Sequence, residues 1–156
     1  MKYRLAAFAL FCTITLPAIA SEIACPALET AIQVATCPTE EELKYTFTGY
    51  CSDNARMYGK DTETCESYAN YRKLKNIVLW ESADGEFQAY LSCDLTPAAI
   101  KSAKPKRMTV SLAGKLTRVA CDYGNYITFA HRTRAQCVVA GDGNCADGAG
   151  CKAACN

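Results

Sequence analysis

The alternation of apolar and polar positions is clearest between residues 76 and 139. Two runs rich in apolar and aromatic residues, IVLW and FQAYL, flank Asp84-Gly85, a dipeptide favoured in hairpin turns. Four more short runs follow, MTVSL, KLTRVAC, YITFAHRT and AQCVV, with turn-forming residues between them. Strands separated by turns every eight to twelve residues or so are typical of small antiparallel folds. This part of the chain therefore predicts an antiparallel meander, sandwich or small barrel.

The residues before 76 carry mixed signals. CPALETAIQVATC, residues 25–37, has a proline suited to the first turn and apolar residues at helical spacing, which predicts a short N-terminal helix. Thr39 and Glu42 fit a capping box, a pattern that starts helices. In residues 43–50, however, apolar and polar residues alternate as in a strand. We therefore predict a turn at Thr39 and a strand over 43–50.

The remaining segments are assigned from composition and spacing. Residues 52–65 are polar and predict a loop, and residues 64–76 predict a helix. A connector over residues 95–107 is expected to contain one helical turn after Thr96-Pro97. The tail is rich in Gly, Ala and Asp and predicts a compact, disulfide-linked loop. The fold class expected is mainly β with a short N-terminal helix, in a small disulfide-rich domain.

Residues 1–20 have the composition of a secretory signal peptide. A basic start, MKYR, precedes the apolar run LAAFALFCTITL and the small residues AIA, so we expect cleavage after Ala20. The apolar run is shorter than the roughly 20 residues that a membrane-spanning helix needs, and no later run is long enough. We predict a secreted or periplasmic protein without a transmembrane segment in the mature chain.

Residues 21–156 have the length of one ordinary domain. We divide it into an acidic helix and loop portion (21–75), a β meander (76–139) and a cysteine-rich tail (140–156).

Ten cysteines remain after the expected cleavage. An even, dense set in an exported chain predicts a framework of up to five disulfides, whose connectivity the sequence leaves open. Structural zinc is the alternative, but the chain lacks a C-x2-C pair and has a single histidine, so we predict no metal and no cofactor. The cysteines are Cys25, Cys37, Cys51, Cys65, Cys93, Cys121, Cys137, Cys145, Cys151 and Cys155.

Charge is segregated along the chain. Residues 21–95 hold thirteen acids and six bases, and residues 96–137 hold eight bases and a single acid, Asp122. The two halves either neutralise each other inside one domain or leave a positive face for an anionic partner. Both interpretations remain open at this point.

The segment that contains the histidine offers candidate binding residues. If residues 126–133 form a strand, His131 shares the apolar face with Ile127 and Phe129, and Arg132 lies on the solvent side. Arginine presents a planar fork of donors that suits carboxylate or phosphate groups. We predict that the partner-binding residues are Lys115, Arg118, Arg132 and Arg134.

No nucleophile elbow, zinc-protease motif or phosphate-binding loop is present in the sequence. We therefore expect a binding or inhibitor protein that engages an acidic protein or an anionic envelope polymer. The alternative is a small secreted hydrolase, in particular a ribonuclease, the only case in which nucleic acid is expected as a partner. Its catalytic residues would be His131 as acid and Glu81 or Glu86 as base, with Arg132 and Arg134 for the phosphate.

Overall fold

The computed structural model describes residues 21–146 and 151–156 and shows a mainly β protein, as predicted. The expected signal peptide, residues 1–20, lies outside the described residues. The strands are β1 Ser21–Ala24, β2 Ile32–Gln33, β3 Ile77–Glu81, β4 Gln88–Ser92, β5 Arg107–Ala113, β6 Leu116–Gly124, β7 Ile127–Thr133, β8 Cys137–Val139 and β9 Lys152–Cys155. The helices are α1 Glu40–Tyr50, α2 Thr62–Cys65, α3 Tyr68–Lys75 and α4 Pro97–Ser102.

The strands form two antiparallel sheets. The larger sheet has six strands in the order β2-β3-β4-β7-β6-β5, and the smaller has the order β1-β9-β8. The β3–β4 hairpin turns at Asp84-Gly85, and β5, β6 and β7 follow one another as neighbours. The predicted hairpin and the run of short antiparallel strands are both confirmed.

The hydrophobic core lies against one face of the six-stranded sheet. Trp80, Leu91, Val119 and Phe129 point into it from four strands, each at most 3% exposed. Other elements complete it from the far side, and they include residues of all three predicted portions of the chain. These residues are Leu28 before β2, Ile100 of α4 and Ala153 of β9.

The strand predicted over residues 43–50 is wrong, because this segment forms α1. The capping box is complete: the Thr39 backbone N–H donates to Glu42 Oε2 at 2.7 Å, and Thr39 Oγ1 accepts from the Glu42 N–H at 3.2 Å. Leu43, Phe47 and Tyr50 also fit the i, i+4, i+7 spacing of a helix. Their contacts with α3, including a 5.3 Å separation of the Phe47 and Tyr71 rings, decide between the two periods.

The helix predicted over residues 25–37 is reduced to a 3₁₀ turn, Leu28–Thr30. Beyond it the backbone is extended, and the Val34 N–H donates to the Leu79 carbonyl of β3 at 2.9 Å. Cys25 is bonded to β6 and Cys37 to Cys93, after β4. The segment is therefore anchored to separate strands, and sheet hydrogen bonds replace helical ones.

The helix predicted over residues 64–76 is confirmed as α3, and the helical turn after Thr96-Pro97 is confirmed as α4. The segment predicted as a loop contains an irregular helical turn, Arg56–Lys60, and the short α2. The tail is more regular than predicted, because β9 is the central strand of the smaller sheet. Residues 147–150 lie outside the described part of the tail.

All ten cysteines pair, and the five predicted disulfides are confirmed. The pairs are nested along the sequence: Cys51–Cys65 lies inside Cys37–Cys93, which lies inside Cys25–Cys121, and Cys145–Cys151 lies inside Cys137–Cys155. Cys137 and Cys155 are direct partners in the β8–β9 ladder. Cys25–Cys121 and Cys37–Cys93 thus tie the N-terminal segment to the larger sheet, Cys51–Cys65 joins the end of α1 to α2, and the other two bridges lie in the smaller sheet and the tail.

Candidate functional site

Two arginines lie side by side on the outer face of the six-stranded sheet, opposite the core. Arg118 of β6 pairs directly with Arg132 of β7, and Ser111 of β5 pairs with Arg118 on its other side. The neighbouring residue pair in the ladder, Val119 and His131, faces the core. Since successive side chains of a strand point to opposite faces, Ser111, Arg118 and Arg132 form one row across three strands. We call this the arginine row.

The other two predicted binding residues lie close to the arginine row in sequence. Lys115 is in the turn between β5 and β6, and Arg134 follows the end of β7. Lys115, Arg132 and Arg134 are exposed, and Arg118 is half-buried. The alternation of faces predicted for residues 127–132 is present, with the arginine outside and Phe129 fully buried.

No carboxylate within residues 21–146 and 151–156 lies within 4 Å of the four basic residues. The acidic residues that form ion pairs use other bases. Arg72 bonds Glu40 at 3.1 Å and Asp94 at 3.0 Å, Lys104 bonds Glu29, and Lys152 bonds Glu22. Among the described residues, ion pairs between the acidic half and the basic half therefore include Lys104 and do not include the arginine row.

The ion pairs also lower the pKa values of two of these acidic residues. The Arg72 guanidinium, followed by the Asn76 amide, holds the pKa of the Asp94 carboxyl below its usual value. The Lys104 ammonium does the same for the pKa of Glu29. These carboxylates are stabilised as anions by the bases beside them, Arg72 in the acidic half and Lys104 in the basic half.

Small side chains lie next to the arginine row. Ala120 and Ala130 pair across β6 and β7, two residues along from the two arginines, and both are buried. Tyr90 stands on the same face of β4 with 71% of its surface exposed. Glu81 is also on this side of the sheet, where the Gln88 amide donates to it at 2.9 Å.

His131 lies on the opposite face, in a cleft of about 340 Å³ between the β3–β4 hairpin and β1. Its Nδ1 is 2.9 Å from the Glu86 carbonyl oxygen and 3.3 Å from Glu86 Oε2. A carbonyl oxygen only accepts, so Nδ1 is the donor in this contact. The ring packs on Phe87 with centroids 5.6 Å apart, so His131 is a hydrogen-bonded residue at the edge of the core.

Of the residues proposed for a ribonuclease, the structure brings His131 and Glu86 together. Glu81 is on the other side of the sheet, and Arg132 faces away from the cleft. Two further acidic residues line the cleft, Glu22 and Asp84, and the pKa of Asp84 is lowered chiefly by the hydrogen bond from the Ser82 hydroxyl. No arginine or lysine is among the described residues that line this cleft.

A groove that the sequence did not predict lies between α1 and α3, with a volume of about 1100 Å³. Tyr50 forms part of its wall, with the Arg56 guanidinium 4.0 Å and the Lys75 ammonium 4.9 Å from the ring centroid. The groove was missed because α1 was predicted as a strand. The capping box was the signal that could have revealed it.

Within the described ranges, no helix is long and apolar enough to span a membrane. The same ranges hold no group of three or more His, Cys, Asp or Glu side chains arranged to bind a metal ion. The five disulfides indicate an oxidising compartment and hence an extracellular protein. Comparison of the chain with known protein families, with curated proteins and with solved structures finds no match.

Proposed function

We propose that this protein is a secreted or periplasmic binding protein that engages an acidic protein partner through the arginine row and the adjoining Lys115 and Arg134. One observation carries the proposal: Arg118 and Arg132 are direct neighbours across two strands, with no described carboxylate within 4 Å. An inhibitor of an acidic enzyme or toxin is the form of this function that suits a rigid, disulfide-linked scaffold.

The physical basis of the proposal is the repulsion between Arg118 and Arg132 in the protein without a partner. Like charges directly opposite each other in a sheet are destabilising, by a few tenths of a kcal/mol up to about 1 kcal/mol. A carboxylate placed between the two guanidinium groups removes this repulsion and gains charge-assisted hydrogen bonds. Partner binding therefore relieves an unfavourable interaction that the free protein carries.

The test uses poly-L-glutamate as the probe and the oxidised chain as the protein. We expect binding that weakens steeply with salt and at least a tenfold loss of affinity in Arg118→Glu/Arg132→Glu. Lys60→Glu/Lys73→Glu, which changes the same charge at two exposed lysines outside every described ion pair, is the matched control. An equal loss in both double variants would show only a general charge effect and would contradict the proposal.

The natural partner is sought by affinity capture from envelope and culture extracts with elution by a salt gradient. We expect an acidic protein that the wild type retains and the arginine double variant does not. Retention of a polyanionic envelope polymer instead would keep the arginine row as the site and change the class of partner.

The hydrolase alternative is favoured by one observation, the contact of His131 with Glu86 inside a cleft. It predicts turnover of RNA that His131→Ala abolishes and that Glu81→Gln leaves unchanged, since Glu81 lies outside the cleft. The binding proposal predicts no turnover in any of these proteins.

A further inference from the structure

The edge strand β5 has a backbone that is only partly paired. Its first residues bond the tail: the Met108 N–H donates to the Gly143 carbonyl at 2.8 Å, and the Cys145 N–H donates to the Lys106 carbonyl at 3.0 Å. In a strand, residues i, i+2 and i+4 direct their N–H and C=O groups to the same side, so Val110 and Leu112 follow Met108. Val110 and Leu112 therefore point their backbone groups away from β6, past the end of the bonded tail.

Within residues 21–146 and 151–156, no backbone or side-chain group bonds to the outward amides of Val110 and Leu112. Leu112 is 77% exposed, and Ser111 and Ala113 are exposed on either side of it. Beyond Met108, β5 is therefore the open edge strand of the larger sheet: it is hydrogen-bonded to β6 on one side and to no described strand on the other, and β8 packs close to it without pairing.

This edge lacks the features that usually prevent strand addition. Natural edge strands are protected by charged residues, proline, bulges or a covering segment. Residues 108–113, MTVSLA, contain neither a charge nor a proline, and their ladder with β6 runs without a register shift. An open edge of this kind accepts an added strand.

We infer that the open edge of β5 binds an extended segment of the partner, with alternating acidic and apolar residues, as a seventh, antiparallel strand. This inference rests on the proposed function and specifies which part of the acidic partner is recognised. A residue placed opposite Val110 or Leu112 shares their face and meets their aliphatic side chains. A residue placed opposite Ser111 shares the face of Arg118.

Spacing allows the acidic positions to reach the arginine row. Adjacent strands lie about 4.8 Å apart, so Arg118 is one strand from β5 and two from an added strand. Ser111 is the small residue between them, over which the Arg118 side chain can extend to a Glu carboxylate. The pairing of β5 with β6 therefore determines which positions of the added segment should be acidic and which should be apolar.

Charge decides against a second copy of this chain as the occupant. If two β5 edges paired with Ser111 opposite Ser111, the arginine rows of both copies would lie in one line on one face. Four guanidinium groups would then repel one another without a carboxylate between them. An acidic segment has the opposite effect, because it supplies the carboxylates that the row lacks.

The test uses the peptide Ac-TEVETEV-amide with the full oxidised protein. We expect binding to slow hydrogen exchange at the Val110 and Leu112 amides at least tenfold. The peptide Ac-TKVKTKV-amide is the charge control and should not bind. N-methylation at the Val and Thr positions should abolish binding, because their N–H groups face β5, whereas N-methylation at the Glu positions should be tolerated.

The outcomes separate this inference from the proposed function. If the acidic peptide binds and depends on Arg118, but neither edge amide is protected, the strand-addition inference fails and the arginine row stands. If removing the arginines leaves binding of the peptide and of poly-L-glutamate unchanged, the proposed function fails. Edge amides already protected in a dimer of the free protein would overturn the inference in favour of self-pairing.

Discussion

Arg118 and Arg132 are direct partners in the β6–β7 ladder, on the face of the sheet that turns away from the core. Cross-strand partners interact strongly enough to affect the stability of a sheet, and two positive charges in these positions oppose folding. The pair therefore carries an electrostatic cost in the free protein, which binding of the proposed acidic partner would relieve.

Replacing one of these arginines by an acid should stabilise the free protein and weaken binding. Arg118→Glu converts a repulsive pair into an ion pair with Arg132, and we expect the free energy of unfolding to rise by about 0.2–1 kcal/mol. Affinity for poly-L-glutamate should fall at the same time. Urea unfolding and titration measure the two quantities, with Lys60→Glu as the control. A loss of stability in Arg118→Glu would show that repulsion between Arg118 and Arg132 does not destabilise the free protein.

The capping box of α1 should contribute measurably to stability. Thr39→Ala removes the side chain that accepts from the Glu42 N–H, and we expect a loss of about 1 kcal/mol in thermal or urea unfolding. Thr48→Ala is the matched control, since its hydroxyl bonds a carbonyl within the same helix and caps no terminus. An equal effect of both variants would contradict a specific role of the cap.

Removing a disulfide should cost more stability when the bond closes a longer loop of chain. Cys51 and Cys65 are 14 residues apart, and replacing both by Ala is expected to cost about 3 kcal/mol. Cys25 and Cys121 are 96 residues apart, which raises the expected cost to about 4.7 kcal/mol before the loss of packing around the buried Cys121. Urea unfolding of the two double variants gives the order. The reverse order would mean that chain entropy does not govern these bridges.

The Arg72–Asp94 pair should make stability depend on acid pH. The folded-state pKa of Asp94 is lowered by Arg72, so its contribution is present above the unfolded value near pH 4 and is lost as pH falls through the folded value. We expect Asp94→Asn to be less stable than wild type at pH 6 and to lose less stability below about pH 4. Melting temperatures across pH 2–7 measure this, with Glu41→Gln as an exposed control. Parallel curves for all three proteins would exclude the linkage.

The meander was predictable because its signals agree with one another. At Asp84-Gly85 a turn dipeptide separates two apolar runs, and in residues 127–132 the period of two places Phe129 inside and Arg132 outside. The prediction for residues 43–50 was wrong because both the strand period and the helix period fit the same residues. The capping box and the ring contacts of Phe47 and Tyr50 with α3 select the helix, and α3 was itself a separate prediction.

The candidate site was predictable in its residue types and only partly in its geometry. The basic residues were found from charge segregation, and the opposite faces of His131 and Arg132 from strand period. The direct pairing of Arg118 with Arg132 depends on the β6–β7 register, which the turn between the strands determines. The open edge of β5 depends on strand order, since it requires that the tail bonds only the start of that strand.

The nested order of the disulfides has a consequence for how the protein matures. A chain that crosses a membrane from its N-terminus exposes Cys25 and Cys37 long before Cys93 and Cys121, their native partners. An oxidant that joined thiols in order of emergence would make Cys25–Cys37 first, a bond that must be broken again. Only Cys51–Cys65 and Cys145–Cys151 join cysteines that are consecutive in the sequence. Correct maturation therefore requires either delayed oxidation or exchange of an early bond, and thiol–disulfide exchange becomes part of the biogenesis of this fold.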